Sequence, residues 1–199
     1  VSAGRFAQVI VGKHKRVKAA LEACLAQAET SPPDDDAVLV VVDLEQLLRP
    51  ASFQADFVKH LGQYAHGTRV WAFKAFDAWL VEVPGSDGRR RRVLWINGTG
   101  GMGKSVIAGK ICKLHAETVV VASFFCKHSV DDRNDPRHCV RTLAWQLARR
   151  FPKVREELER MAREAEGSAF HEAVSGSTGA TVEEVFGTLI GGPLRKVFG

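Results

Sequence analysis

Gly98-Thr99-Gly100-Gly101-Met102-Gly103-Lys104-Ser105 is the stretch of sequence that decides the expected fold. It fits the pattern G-x-x-x-x-G-K-[ST] at every fixed position. A loop that wraps phosphate oxygens has to turn its backbone N–H groups inward and let the main chain approach closely. Glycine permits both, because it has no Cβ and accepts positive φ. The stretch therefore predicts a phosphate-binding loop.

The residues on either side of this loop favour the same interpretation. Val93 to Asn97 is typical of a buried strand, and 104–116 shows the apolar spacing of a helix. A helix that begins at the loop adds unpaired N–H groups and the positive end of its dipole. The predicted fold class is α/β, with an incomplete three-layer P-loop NTPase core of parallel strands and flanking helices, preceded by a mainly helical N-terminal region.

Each position of the loop receives an expected role. Lys104 would place its ammonium near the β- and γ-phosphates, and Ser105 would offer its hydroxyl to Mg²⁺. The expected cofactors are ATP or ADP with Mg²⁺, and guanine has no support because the sequence contains no N-K-x-D signal. No catalytic residue can be assigned. The expected nucleotide-binding residues are Gly98, Thr99, Gly100, Gly101, Met102, Gly103, Lys104, Ser105 and Val106.

Composition excludes several other classes of protein. The 199 residues are 45% hydrophobic and 26% charged, as in an ordinary globular domain. Most of the net charge of +5 comes from the run Arg89 to Arg92, which favours a solvated linker over a nucleic-acid-binding face. No apolar run approaches the roughly 18 residues of a membrane span. The four cysteines form no C-x-x-C pair. We therefore expect a cytoplasmic protein that binds neither membrane nor nucleic acid.

Periodicity and breakers predict the elements outside the loop. We expect a helical N-terminal region over 1–52, a helical linker over 53–92 and a partial P-loop domain over 93–199, in a chain that is a piece of a longer protein. The predicted elements are an amphipathic helix over 5–28, a strand or helix start over 37–42, helices over 55–64 and 68–83, a strand over 118–125, helices starting at Pro136, Pro152 and Val182, and a polar, mobile loop over 167–180.

One acidic residue resembles a magnesium ligand but is interpreted as a decoy. Asp43 follows a short aliphatic run, as the acid of a Walker B strand does. In P-loop enzymes that strand comes after the phosphate loop, whereas Asp43 comes well before Gly98. We therefore do not expect Asp43 to hold Mg²⁺.

Several stretches together resemble a NACHT domain. They are Arg92 to Ser105, Ala122-Ser-Phe-Phe125 and Arg141-Thr-Leu-Ala-Trp-Gln-Leu-Ala148. The stretch Gly67-Thr-Arg-Val-Trp71 with Trp79-Leu80 is similar to the segment just upstream of such domains, and Thr181 to Ile190 with Pro193-Leu194 resembles the helix before their Walker B strand. The likeness covers about residues 60–199.

The resemblance implies a nucleotide-dependent switch. NACHT domains are the nucleotide-binding modules of STAND signalling ATPases, in which an ADP-bound closed form exchanges for ATP and assembles. It further implies protein partners, reached through the N-terminal helices and a downstream region, and a nucleotide-dependent homo-oligomer. The Walker B acids, the next sensor and the winged-helix histidine have no counterpart here and are expected beyond Gly199. ATP hydrolysis would belong to the full-length protein, and the chain itself is expected to bind only.

Two other functions stay open on the sequence. In a small-molecule or nucleotide kinase, Asp132 and Arg133 would contact the acceptor, although the same acidic segment also suits a solvated loop that caps the next helix. In a structural interaction fragment, the phosphate loop would be vestigial and the N-terminal helix would be the functional part.

Overall fold

The computed structural model describes residues 7–11, 42–82, 93–116, 118–164, 168–175 and 179–199, the first of these as backbone only. The described chain is mostly helical. None of its helices is both long enough and apolar enough to cross a bilayer. The elements, in chain order, are β1 (Ala7–Val11), α1 (Leu44–Leu48), α2 (Gln54–Gly62), α3 (Val70–Val81), α4 (Lys104–His115), β2 (Val120–Phe125), a 3₁₀ turn (Asp131–Arg133), α5 (Pro136–Arg150), α6 (Pro152–Ala162), α7 (Ala169–Ser175), α8 (Val182–Phe186), a π-helical turn (Gly187–Gly191) and α9 (Gly192–Phe198).

The two strands of the described chain pair with each other in antiparallel fashion. Ala7 lies opposite Phe125 and Val11 opposite Val120, with an irregularity after Ile10. The helix predicted over 5–28 is therefore wrong at 7–11, where consecutive β-branched residues favour a strand and β2 supplies the ladder. The remainder of that prediction lies outside the described residues, as does the strand or helix start predicted over 37–42, except for Val42, which has no regular secondary structure.

The chain divides into two compact units. The loop-bearing unit contains β1 and residues 53–128, and the helical unit contains residues 42–52 and 129–199. The domain boundaries expected after residues 52 and 92 stay predictions.

The core of the loop-bearing unit forms between α3, α4 and β2. On α3, Ala72 and Phe76 are buried one helical turn apart, as an inward-facing stripe requires. Trp71, at the start of the same helix, is 66% exposed. The buried cluster consists of Ala72, Phe76, Ile107, Ile111, Cys112, Val120 and Phe125.

The stretch 93–97, which leads into the loop, is not the buried strand that its sequence predicts. Val93 and Trp95 are 75% and 70% exposed, whereas Leu94 and Ile96 pack against the buried cluster. Alternate side chains thus face inward, as in a strand, but within the described ranges this stretch has no ladder partner. The parallel sheet predicted here is likewise not seen among these residues, because β2 pairs with β1 instead.

The helical unit forms around α5, whose starting point the sequence predicts correctly. Asp135 accepts a hydrogen bond from the Arg137 amide at 2.9 Å, and Pro136 occupies the first turn. The predicted starts at Pro152 and Val182 are also confirmed, the latter by a capping box between Thr181 and Glu184.

The polar loop predicted over 167–180 is wrong over 169–175, which forms α7. The Phe170 side chain is fully buried, and Ala173 is buried on the same face. A single aromatic residue in a polar stretch is enough to attach a short helix to a core that the local sequence does not reveal.

Asp43 has a structural role that the aliphatic residues before it did not suggest. Its Oδ1 accepts hydrogen bonds from the amides of Glu45 and Gln46 at 3.0 and 3.1 Å, so it caps α1. The structure therefore assigns this carboxylate to a helix end.

Candidate phosphate-binding site

The glycine-rich loop turns at two residues with left-handed backbone. Gly101 and Gly103 have φ of 81° and 82°, and Gly103 is the residue that caps α4. A side chain at either position would strain the backbone, which is why the pattern places glycine there. The loop therefore uses the positive φ that glycine permits, while the inward-facing backbone N–H groups stay a prediction.

Lys104 folds back over this loop. Its Nζ donates hydrogen bonds to the carbonyl oxygens of Gly98 and Thr99, at 2.7 and 2.8 Å. The ammonium is thus held against the loop by the two residues that open it. A cation beside the loop could contact oxygens of a polyphosphate that the backbone amides of the loop also bind.

Two apolar side chains in the first turn of α4 are buried and hold the start of this helix in the core. Val106 and Ile107 are 6% and 3% exposed, and the Ile107 amide donates to the Gly103 carbonyl at 3.0 Å. Ser105 is half-buried and precedes this anchor. Because Gly103 has no side chain to cap the helix, the first N–H groups of α4 have no side-chain acceptor there. Such amides favour an anion.

The nine predicted nucleotide-binding residues are consecutive and run from the loop (98–103) into the first turn of α4 (104–106), with different surroundings. Thr99, Gly100, Gly101 and Met102 are exposed, Gly98, Gly103, Lys104 and Ser105 are half-buried, and Val106 is buried. The Val106 side chain serves the core, so this residue can reach a ligand through its backbone N–H alone.

Sequence reasoning did not single out Arg69 as part of this site. A Cβ placed on Gly103 would lie 2.7 Å from Arg69 Nη2 and 3.0 Å from its Cζ, so the guanidinium covers the last glycine of the loop. Arg69 precedes α3 and lies far from the loop in sequence. The sequence pointed to Arg69 only through the resemblance of the stretch Gly67 to Trp71, which does not indicate what the Arg69 side chain contacts.

The electrostatics of the site are positive. The first turn of α4 contains no acidic residue, and Lys104 and Arg69 both approach the loop. Deeper in α4, burial raises the pKa of the Cys112 thiol to about 11, against the effect of a Ser123 hydrogen bond, so this thiol is neutral. The surroundings therefore suit an anionic ligand.

Of the expected magnesium ligands, the site contains Ser105. Across the ranges that the structure describes, no three His, Cys, Asp or Glu side chains cluster in a way that could hold a metal ion. A hydroxyl at the start of α4 suits direct coordination of Mg²⁺, which commonly binds few protein groups together with waters and substrate phosphates. Ser105 fits that mode of binding, in which the nucleotide contributes most of the oxygens.

The acidic segment proposed for an acceptor has other contacts. Asp135 caps α5, and Asp132 Oδ1 lies 3.7 Å from His138 Nδ1. Arg133 is 6% exposed. These contacts match the alternative interpretation of this segment as a cap for the next helix.

Comparison with protein families places the chain in a defined class. The family described as "Nephrocystin 3, N-terminal" matches residues 67–191, which is more than half of the chain. The chain therefore belongs to the nephrocystin 3 N-terminal domain family. Comparisons with curated proteins and with solved structures gave no match. The matched range contains the glycine-rich loop, Lys104 and Arg69.

Proposed function

We propose that the chain is an ATP-binding module in which the glycine-rich loop holds the polyphosphate. The observation that carries this proposal is the position of Lys104, whose Nζ lies 2.7 and 2.8 Å from the carbonyl oxygens of Gly98 and Thr99, the two residues that open the loop. The left-handed Gly101 and Gly103 and the uncapped start of α4 supply amides for the same anion.

We further propose that the nucleotide acts as a switch, as the resemblance to NACHT domains of STAND proteins implies. In that arrangement ATP and ADP, with Mg²⁺ at Ser105, would bias two forms of the protein, and the ATP form would recruit partners or a second copy. The α/β P-loop core is also part of this proposal. It is supported by the stretch 93–97, which leads into the loop with Leu94 and Ile96 facing the core. ATP hydrolysis and a cytoplasmic location are expected of the full-length protein.

The direct test is titration of the whole chain with a fluorescent ATP analogue and Mg²⁺, before and after Lys104→Ala. A charge-assisted contact to phosphate is worth about tenfold in affinity or more, so we expect at least that loss. A matched control is Lys113→Ala, which removes an exposed lysine from the last turn of the same helix. This control should leave affinity unchanged.

Equal affinity in the parent chain and in Lys104→Ala would remove the phosphate-loop assignment. The kinase alternative gains no support, because Asp132, Arg133 and Asp135 have structural contacts. Phosphate transfer that requires an added acceptor would revive it. If no variant of the loop alters the binding of any ligand, the loop is vestigial and the structural interaction fragment is the better description.

A further inference from the structure

The turn before α3 has an uncommon backbone conformation. Gly67 and Arg69 both have positive φ, of 76° and 56°. Glycine adopts this conformation freely, but a residue with a Cβ gives up about 1–2 kcal/mol. Conformations of this kind persist where the surrounding structure imposes them, and they concentrate at functional sites. The position of the Arg69 side chain gives a reason for this backbone cost.

Hydrogen bonds fix this turn in place. Thr68 Oγ1 donates to the Ala65 carbonyl at 2.6 Å, and the Tyr64 hydroxyl donates to the Thr68 carbonyl at 3.3 Å. The Ala72 amide donates to the Arg69 carbonyl at 2.9 Å, which begins α3. Arg69 is therefore held on both sides, and its side chain leaves the backbone in a defined direction.

That direction leads to the phosphate loop. The positions that a Cβ on Gly103 would contact are the guanidinium atoms Nη2, Cζ and Nε of Arg69, at 2.7, 3.0 and 3.1 Å. The guanidinium thus lies against Gly103, the last residue before Lys104. A forked donor in this position can bind phosphate oxygens in bidentate fashion.

The charges at the loop favour an anion. Lys104 Nζ bonds to backbone carbonyls, and Arg69 Nη1 reaches the Thr68 hydroxyl at 3.4 Å. Within the described part of the chain, no carboxylate forms a salt bridge with either residue. Two cations at one short loop repel each other, and one polyphosphate would neutralise both.

We propose that Arg69 is the second cation of the phosphate site and contacts the nucleotide polyphosphate alongside Lys104. This inference rests on the proposed function. It also gives α3 a direct contact with the ligand, because Arg69 is the residue from which that helix starts. A nucleotide would then join α3 and α4 through two cations, one from each helix start.

The test compares Arg69→Gln with Lys74→Gln in the whole chain. Lys74 is an exposed residue of α3, so both variants lose one positive charge from the same segment. Affinity is measured for a fluorescent ATP analogue, and for inorganic tripolyphosphate by displacement of that analogue. We expect Arg69→Gln to weaken both ligands by about tenfold, and Lys74→Gln to leave both unchanged. The loss should shrink between about 0.1 M and about 1 M NaCl, because salt screens the lost charge.

The outcomes separate this inference from the proposed function. If Lys104→Ala loses affinity while Arg69→Gln behaves like Lys74→Gln, Arg69 does not touch the ligand. A loss for the ATP analogue without a loss for tripolyphosphate would place Arg69 at the base or ribose and overturn the inference. If Lys104→Ala loses nothing, the proposed function itself fails.

Folding is checked by the unfolding temperature without nucleotide. Glutamine faces the same backbone cost as arginine at this position, so we expect little change. Should Arg69→Gln unfold the chain, Arg69→Lys takes its place. An ammonium cannot make the forked contact, so at least a threefold loss is expected (about half of a tenfold effect on the free-energy scale). Unchanged affinity would overturn the inference.

Discussion

The two units of this chain differ in how completely they bury their apolar side chains. Among the residues that the structure describes, all but one of the exposed large hydrophobic side chains belong to the loop-bearing unit, including Val93 and Trp95 before the loop and Met102 within it. Among the same residues, the largest fully buried side chains show the opposite distribution, with Phe124 as the one in the loop-bearing unit. The helical unit thus buries more of its large apolar side chains, whereas the loop-bearing unit leaves more of them exposed around the proposed phosphate site.

This difference predicts different consequences for mutations in the two units. A residue of the helical unit should matter for stability and leave ligand binding unaffected. A residue of the loop should matter for binding, with a smaller effect on stability. The four predictions below test this division, from the largest expected effect to the smallest.

The largest effect is expected in the core of the helical unit. Leu158 of α6 is fully buried, so Leu158→Ala should lower the free energy of unfolding by about 2–5 kcal/mol. The matched change in the other unit is Trp95→Ala, which truncates a side chain that is 70% exposed and should alter stability by about 0.5 kcal/mol or less. Urea unfolding followed by circular dichroism measures both. Similar losses would remove the proposed contrast between the two units.

The next effect concerns the conformation of the loop. Gly103→Ala forces a Cβ onto a residue with φ of 82° and into the Arg69 guanidinium, 2.7 Å away. Because left-handed backbone costs about 1–2 kcal/mol, we expect the loop to relax and affinity for the ATP analogue to fall about tenfold.

Gly62→Ala is the control for this change. A Cβ there would meet nothing within 4 Å, and Gly62 lies at the end of α2 without positive φ. It should leave affinity unchanged and raise stability by about 0.4–1 kcal/mol. Equal affinities for the two alanine variants would mean that the left-handed backbone at Gly103 is not needed for binding.

A smaller effect is expected from the ion pairs of Glu157, one of which joins α6 to α9. Glu157 accepts hydrogen bonds from Arg160 at 2.8 and 3.1 Å and from Lys196 at 2.6 Å. The Arg160 bonds, with Lys196, lower the pKa of Glu157 to about 2, although burial opposes this shift. Both cations are more than half exposed, so we expect Glu157→Gln to cost about 1 kcal/mol at pH 7.

The pH dependence of this contribution has a definite sign. The carboxylate is ionised in the folded chain down to about pH 2, whereas in the unfolded chain it takes up a proton near its ordinary value of 4.5. The stabilisation is therefore complete above pH 4.5 and is lost as the pH falls toward 2. Unfolding curves at several pH values measure it. The control is Glu156→Gln, an exposed neighbour, and a difference between the two variants that persists at pH 2 would contradict the assignment.

The smallest effect concerns Asp43. Since its carboxylate caps α1, Asp43→Ala should cost about 0.5–1 kcal/mol, and Asp43→Asn should cost little, because asparagine caps equally well. Affinity for the ATP analogue with Mg²⁺ should be unchanged in both, because Asp43 belongs to the helical unit. A fall in magnesium-dependent affinity would return Asp43 to the role of a metal ligand.

Local signals predicted the parts of the fold that local chemistry determines. Asp135 with Pro136, the proline at 152, and the pair Thr181 and Glu184 marked helix starts that the structure confirms. The glycine-rich loop likewise carried its own conformation, because positive φ at Gly101 and Gly103 follows from residue type.

The errors lie where a distant partner decides the structure. Residues 7–11 became a strand because β2 pairs with them, and 93–97 has no such partner among the described residues. The contact between Arg69 and Gly103 joins two residues that are far apart in sequence, and the left-handed backbone of an arginine has no signature in composition or periodicity. These features depend on tertiary contacts that no short window of sequence contains.

The π-helical turn between α8 and α9 has a consequence for evolution by insertion and deletion. The Gly192 amide donates to the Gly187 carbonyl five residues earlier, so this turn holds one residue more than an α-helix would. Each added residue rotates everything after it by about 100°. Lys196 follows this turn, so the position from which it contacts Glu157 includes the rotation that the extra residue adds. Removing any single residue from 187–191 would carry Lys196 around the helix axis, so the contact between α6 and α9 depends on how many residues the turn contains, whatever their identity.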